Sequence, residues 1–443
     1  MVLMMKQNSN EQVIELLLSA RLRDTTRIKT EIYKHFSEII ELFTRAHNIN
    51  APKLIIDYSL NRRTEHIKIS GESFIIYDQS LGQSLNHLNT IVALESQDTS
   101  DRNFALDVYA SKILAQEFRL RNMKDISLLF GLLYDLGKQD ARRVLLSSTL
   151  SSMKRFYYTT IQEIYVLCHE LSHIVLDINK DFKDGLLFEN KKFIQTDDFY
   201  GSFVEANSSV FENDWNSLPD LFKESVAEDE WSDMKNFIQE WTEKVILSES
   251  HLNILALESS CDDLALFFTM VFAKKFLNID VLITIESVSV GQLNLWWLRC
   301  LQNAASFFDL EAQNEFKLSQ KKKNLHGNLQ LINSSYLFHR LRMQQVPKRC
   351  YWLHNISEKL NIPLDLPSLL EMEDICVRIS ESFFSDYMFQ LFKLTMNMGL
   401  YIDQYRLDQA FNALIYANDI KPDFFNENNW QEFVDRATGW ILD

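Results

Sequence analysis

Ten glycines and six prolines in a chain of 443 residues leave few places where the backbone can turn sharply. Average usage of the two together is roughly 12%. Folds built from many short strands need a turn signal about every 8–12 positions. β-Sandwiches, propellers, collagen-like repeats and low-complexity linkers are therefore excluded, and long helices are expected. Hydrophobic residues at 46%, with 31 Phe, 15 Tyr and 8 Trp, supply large aromatic interiors. The length suits two or three domains better than one core.

Charge narrows the partners. Lys and Arg number 45 against 61 Asp and Glu, a formal net charge of −16. Such a surface repels phosphate backbones and anionic lipid headgroups, so neither nucleic acid nor a membrane is an expected partner. Residues Met1 to Glu11 contain no apolar run of the signal-peptide kind. The stretches Leu128–Leu133 and Leu264–Ala273 fall well short of the ~20 apolar residues a bilayer needs. The five cysteines (Cys168, Cys261, Cys300, Cys350, Cys376) are odd in number and include no CxxC pair. Reduced thiols in a cytoplasmic protein are the expectation.

Periodicity divides the chain into parts. Residues 1–50 read as two N-terminal helices, with Val13, Leu17 and Leu18 on one and Ile32, Phe36, Ile39, Ile40 and Phe43 on the other. Lys53–Tyr58, His66–Ser70 and Ser73–Tyr77 are short β-branched or aromatic runs, with Gly71 as a turn signal between the last two. Any sheet is therefore small. Helical spacing returns near 105–120, 126–136, 154–179, 251–276, 287–309 and 327–345. Residues 181–250 are an acidic insertion holding 17 Asp or Glu against 6 Lys. Pro347 marks a boundary, giving a core over 51–345 and an appended helical bundle over 346–443. The fold class expected is α+β, predominantly helical.

The pentapeptide His169-Glu170-Leu171-Ser172-His173 carries the chemistry. On a helix, positions four apart share a face, so both imidazoles project the same way and can clamp one ion. Glu170, rotated by one position, lies beside that ion and can take a proton from water there. Ile161, Ile164, Cys168, Leu171 and Val175 form an apolar stripe that buries the opposite side. Two surface histidines beside a glutamate are the plainer reading of the same residues.

A catalytic zinc site needs a third protein ligand. Glu258 and Asp262 are four apart in a segment whose Ser259, Ser260, Cys261 and Ala265 allow close helix approach. Glu258 is the candidate ligand, and Asp262 the candidate acceptor for the outward nitrogen of a ligand histidine. Glu205, Glu224 and Glu228 compete for the role from the acidic insertion, and an ordinary solvated acidic turn is the plain alternative. Cys168 and Cys261 read as core packing, as do Trp296 and Trp297.

An HExxH pentapeptide followed by a helix bearing Glu-x-x-x-Asp-x-x-Ala (Glu258 to Ala265) resembles the gluzincin metallopeptidases. The resemblance covers about residues 52–180 and 251–345. It implies a zincin-like core in which His169, His173 and Glu258 bind Zn2+, Glu170 is the general base and Asp262 supports a histidine. Several gluzincins place a His-Pro pair and an arginine after the glutamate helix. The nearest match here is Asn333 to Arg340, with Ser334-Ser335 in place of His-Pro, which makes Tyr336, His339 and Arg340 the candidate oxyanion donors. Among gluzincins without membrane helices, the chain is similar to the intracellular phage-exclusion (Lit-like) and repressor-cleaving peptidases, which implies a regulatory or antiviral-defence setting.

The expectation is a zinc-dependent endopeptidase acting on a protein or peptide. The substrate would bind as an added strand along an exposed edge, for which Ser73–Tyr77 is the candidate and a core strand the alternative. The acidic insertion favours a basic substrate or a regulatory partner, unless it is only a solvated excursion. The alternative from another class is a catalytically silent scaffold acting through its helical flanks.

Overall fold

The computed structural model describes residues 2–19, 23–92, 99–146, 152–196 and 248–313, with Arg342, Gln345, Lys348–Cys350 and a few later positions. Helices dominate, and three short strands form one sheet. In chain order the elements are α1 (Val2–Ser19), α2 (Lys34–His47), β1 (Lys53–Asp57), β2 (Glu65–Ile69), β3 (Glu72–Asp78), α3 (Gln79–Val92), α4 (Thr99–Leu120), α5 (Lys124–Leu146), α6 (Ser152–Ile178), α7 (Lys180–Ile194), α8 (Glu249–Phe272) and α9 (Val281–Gln313).

The sheet order is β1-β3-β2, with β1 parallel and β2 antiparallel to β3. Ser70 and Gly71, both at positive φ (50° and 87°), make the two-residue turn joining β2 to β3. Right-handed strand twist favours this left-handed turn, and glycine adopts it without strain. β3 is thus the central strand, which corrects the expectation that Ser73–Tyr77 is a substrate-binding edge. Residues 74–78 are buried on both faces, so this strand's ladder is already filled. The edge on the α6 side is β2.

α1 also differs in detail. Ile14 and Leu18 pack on Phe74 and Ile76 of the sheet, whereas Val13, Leu16 and Leu17 are exposed. Three consecutive leucines place an apolar residue on every face, so the pattern alone does not single out the buried one.

Behind the sheet, α6 runs through the main core. Ile161, Ile164, Cys168, Leu171 and Val175 are all at most 2% exposed, as the stripe requires. α8 and α9 pack against it, and α9 buries Trp296 and Trp297. Over Val281–Ser306, α9 is long and apolar enough to cross a bilayer by length and composition, and most of that length is buried within the protein. α7 occupies the first residues of the acidic segment: Lys180–Ile194 form a helix capped by Asn179 and packed on α8. Residues 197–247, with Glu205, Glu224 and Glu228, lie outside the described residues, as does nearly all of 346–443. Cys168, Cys261, Cys300 and Cys350 are buried.

Candidate metal centre

α6 and α8 build the site between them. His169 and His173 stand one turn apart on α6, and Glu258 faces them from α8. Glu258 Oε2 is 3.3 Å from His169 Nε2, and its Oε1 is 3.7 Å from His173 Nε2. One donor atom from each of the three residues lies within 4.8 Å of the other two. Zinc bound tetrahedrally at its usual N and O distances has ligand atoms about 3.4 Å apart. The contacts of Glu258 with the two imidazoles already stand close to that spacing.

The outward nitrogens face protein groups, which sets which nitrogens face inward. His169 Nδ1 stands 3.0 Å from Asp262 Oδ1, an ion-pair contact without hydrogen-bond alignment. His173 Nδ1 is 3.3 Å from Cys261 Sγ. Cys261 therefore both fills core space and orients a histidine, a contact its buried position alone did not announce.

Behind the histidines lies a sealed polar network. Asp262, fully buried, accepts Nε and Nη2 of Arg342 at 2.8 Å, Nη2 of Arg349 at 3.0 Å and the Tyr165 hydroxyl at 2.7 Å. Gln292 of α9 donates to Tyr165 at 2.7 Å. Asp263 accepts Arg349 Nε at 3.1 Å and Asn190 Nδ2 of α7, also at 3.1 Å. Burial alone would raise Asp262, but Arg342 and Arg349 hold it well below the usual carboxylate range. Arg342 also reaches Glu258, at 3.4 Å.

The donors at the front differ in their fields, and His173 is held down to about 4 by burial and by the charge of His169. Burial opposes protonation of His169, yet Asp262 and Glu258 raise it to about 10. Burial likewise opposes the charge on Glu258, and His169 and Arg342 pull it down to about 2. A cation bound by both imidazoles and this carboxylate would find the field that Asp262 and Glu258 set at His169. The donor set of two imidazoles and a carboxylate, backed by an aspartate, fits a divalent transition metal.

Glu170 lies beside this corner on α6. Its Oε2 accepts the backbone N–H of His66 in β2 at 2.9 Å, tying α6 to the sheet edge. Burial raises it to about 7, with Glu258 adding to the rise against the pull of His169.

Of the residues singled out in the sequence, the structure thus brings together His169, Glu170, His173, Glu258 and Asp262. Tyr336, His339 and Arg340 lie outside the described residues. Among the described residues, Arg342, two positions beyond Arg340, is a cation that reaches both Glu258 and Asp262. Of the residues the sequence reading missed, Tyr165, four positions before His169 on the same helix, had a spacing signal. The His66 N–H, a backbone group, had none. Asp177, one turn past His173, pairs with Lys183 at the start of α7, 3.4 Å away. Comparison of the chain with protein-family models, with curated proteins and with solved structures finds no match.

Proposed function

We propose that the protein is a zinc-dependent endopeptidase with a zincin-like core, in which His169, His173 and Glu258 hold the ion. The observation that carries this reading is the meeting of three donors from two helices, with Glu170 fixed beside them by the edge strand. When bound, zinc supplies Lewis acidity to a peptide carbonyl and lowers the pKa of water.

The protein's own groups do the rest. Glu170, near neutrality in its affinity for a proton, takes one from the attacking water and delivers it to the departing amine. Asp262 and Cys261 hold the two imidazoles in orientation from behind. In β2 the His66 N–H points to Glu170, away from β3. Alternation in an antiparallel ladder then directs the backbone groups of Lys68 outward as well. An extended peptide can pair there, with its backbone supplying affinity.

The test is metal analysis joined to cleavage. Chain purified without chelators should hold one zinc, lose it on His169→Ala, and cut peptides from a digested proteome. Glu170→Gln should keep the zinc and lose cleavage by about 10²–10⁴-fold. Absence of tightly held metal, or cleavage indifferent to Glu170→Gln, would refute the reading.

A further inference from the structure

Near the N-terminal end of β2 lies a cavity of about 440 Å³ whose lining includes Asn61, Arg63, Glu117, Arg121, Gln302 and Ser306. Its charge runs against that of the whole chain. Glu117 is the one carboxylate in it, and it is shared: Arg62 Nη1 lies 3.1 Å from one oxygen and Arg121 Nη1 2.8 Å from the other. Two more guanidinium groups, Arg63 in the lining and Arg299 behind Gln302, make no ion pair within 4 Å among the described residues. Arg63 is exposed at the rim, and Arg299 of α9 donates only to the neutral Gln302, at 3.1 Å. Glu117 is thus already spoken for by Arg62 and Arg121, and Arg63 at the rim adds a further positive charge that an anion entering the cavity would meet.

Arg299 meets the cavity through Gln302, which lines it and accepts Arg299 Nη1 at 3.1 Å. Burial lowers the Arg299 pKa to about 10, and the charges of Glu117 and Glu170 oppose that fall. The edge strand gives the direction. A peptide paired antiparallel to β2 runs opposite to it, so its C-terminal part approaches the Arg63 end. From His66, beside Glu170, to Arg63 is three residues, about 10 Å of extended chain.

We propose that this cavity is a subsite for a carboxylate in the second or third residue beyond the scissile bond, either an acidic side chain or a chain terminus. The assignment rests on the peptidase reading. It also differs from the basic substrate expected from the acidic segment, most of which lies outside the described residues.

The test uses the full chain loaded with zinc and carrying Glu170→Gln, so that bound peptide persists. The probes are fluorescein-labelled degenerate heptapeptide mixtures with Glu, Gln or Lys fixed at one position, each with a free or amidated C-terminus. Glu mixtures should bind roughly tenfold more tightly than Gln mixtures, as a charge-assisted hydrogen bond implies. Arg63→Glu, at an exposed position, should reverse the preference toward Lys, and Arg299→Gln should weaken it. A gain confined to free termini identifies the chain-terminal carboxylate, and a gain that survives amidation identifies a side chain. Equal binding of Glu and Gln mixtures in both forms, or a preference untouched by either arginine substitution, overturns the proposal. Acid preference without cleavage of any peptide by the unsubstituted chain would remove the peptidase reading and leave the carboxylate site standing.

Discussion

Asp262→Asn tests the centre where its chemistry and its stability meet. The substitution keeps shape and removes one buried negative charge. Arg342 and Arg349 both contact that carboxylate at 2.8–3.0 Å. With charge centres about 4 Å apart and an effective dielectric near 20, each attraction is on the order of 4 kcal/mol before desolvation is subtracted. Breaking a buried pair typically costs about 3–5 kcal/mol, because the partner stays charged and buried. Here each arginine keeps a second carboxylate, Glu258 at 3.4 Å for Arg342 and Asp263 at 3.1 Å for Arg349. The loss therefore falls at the low end, about 3 kcal/mol. Metal affinity should fall roughly 10- to 100-fold as the group facing His169 Nδ1 loses its charge. Urea denaturation of the metal-free chain gives the first quantity and competition with a zinc-sensitive dye the second. A stability change under about 1 kcal/mol together with unaltered zinc affinity would refute the claim that Asp262 anchors both the arginines and the histidine.

Two further outcomes follow from the packing beside the sheet. Gly82→Ala should destabilise the chain by about 1–3 kcal/mol in thermal or urea unfolding, because a Cβ there would overlap the Glu163 carboxyl and sit 2.9 Å from the Tyr77 hydroxyl. Glu163, which accepts hydrogen bonds from both Tyr33 and Tyr77, is raised by burial to about 7. Between pH 4.5 and 7 the folded chain keeps a proton that the unfolded chain has released, so stability falls as pH rises, by roughly 3 kcal/mol from this group. Glu163→Gln should remove that slope, and a difference from the unsubstituted chain that is equal at pH 4.5 and pH 8 would contradict it.

How much of this was legible follows from what each feature depends on. The α6 stripe and the His169–His173 pair are local, set by helical spacing, and the strands announced themselves by β-branched runs around Gly71. The order of those strands was not written locally. β3 is central because β1 runs parallel to it and β2 folds back on it, and no property of Ser73–Tyr77 distinguishes a centre from an edge. α7 was hidden by its composition: Lys180–Ile194 is strongly polar, and Asn190, which fixes it to Asp263, is a residue type usually read as loop. Arg342 and Arg349 reach Asp262 across 80 and 87 residues of chain. A long-range guanidinium partner leaves no periodic trace, so the acids of α8 could be read while their counter-charges could not.

Exposure is uneven across the centre, and that unevenness bears on the choice between the proposed active site and a scaffold's internal salt bridge. Asp262, Asp263 and Arg349 are 0–1% exposed, whereas the side chains of His169, His173 and Glu258 are 12–25% exposed. A cluster needed only for folding gains nothing from opening its front, and apolar residues would hold a sealed interior at least as well. Glu258 and Asp262 lie one turn apart on one helix, so they make a controlled comparison. Contacts of Glu258 are the longer ones, 3.3–3.7 Å, and part of its charge is solvated. Glu258→Gln should therefore cost at least about 1 kcal/mol less stability than Asp262→Asn, yet weaken zinc binding more, since it alters a direct ligand. If Glu258→Gln instead destabilised the metal-free chain as strongly as Asp262→Asn and left zinc affinity intact, the constellation would be structural and the silent-scaffold reading would take its place.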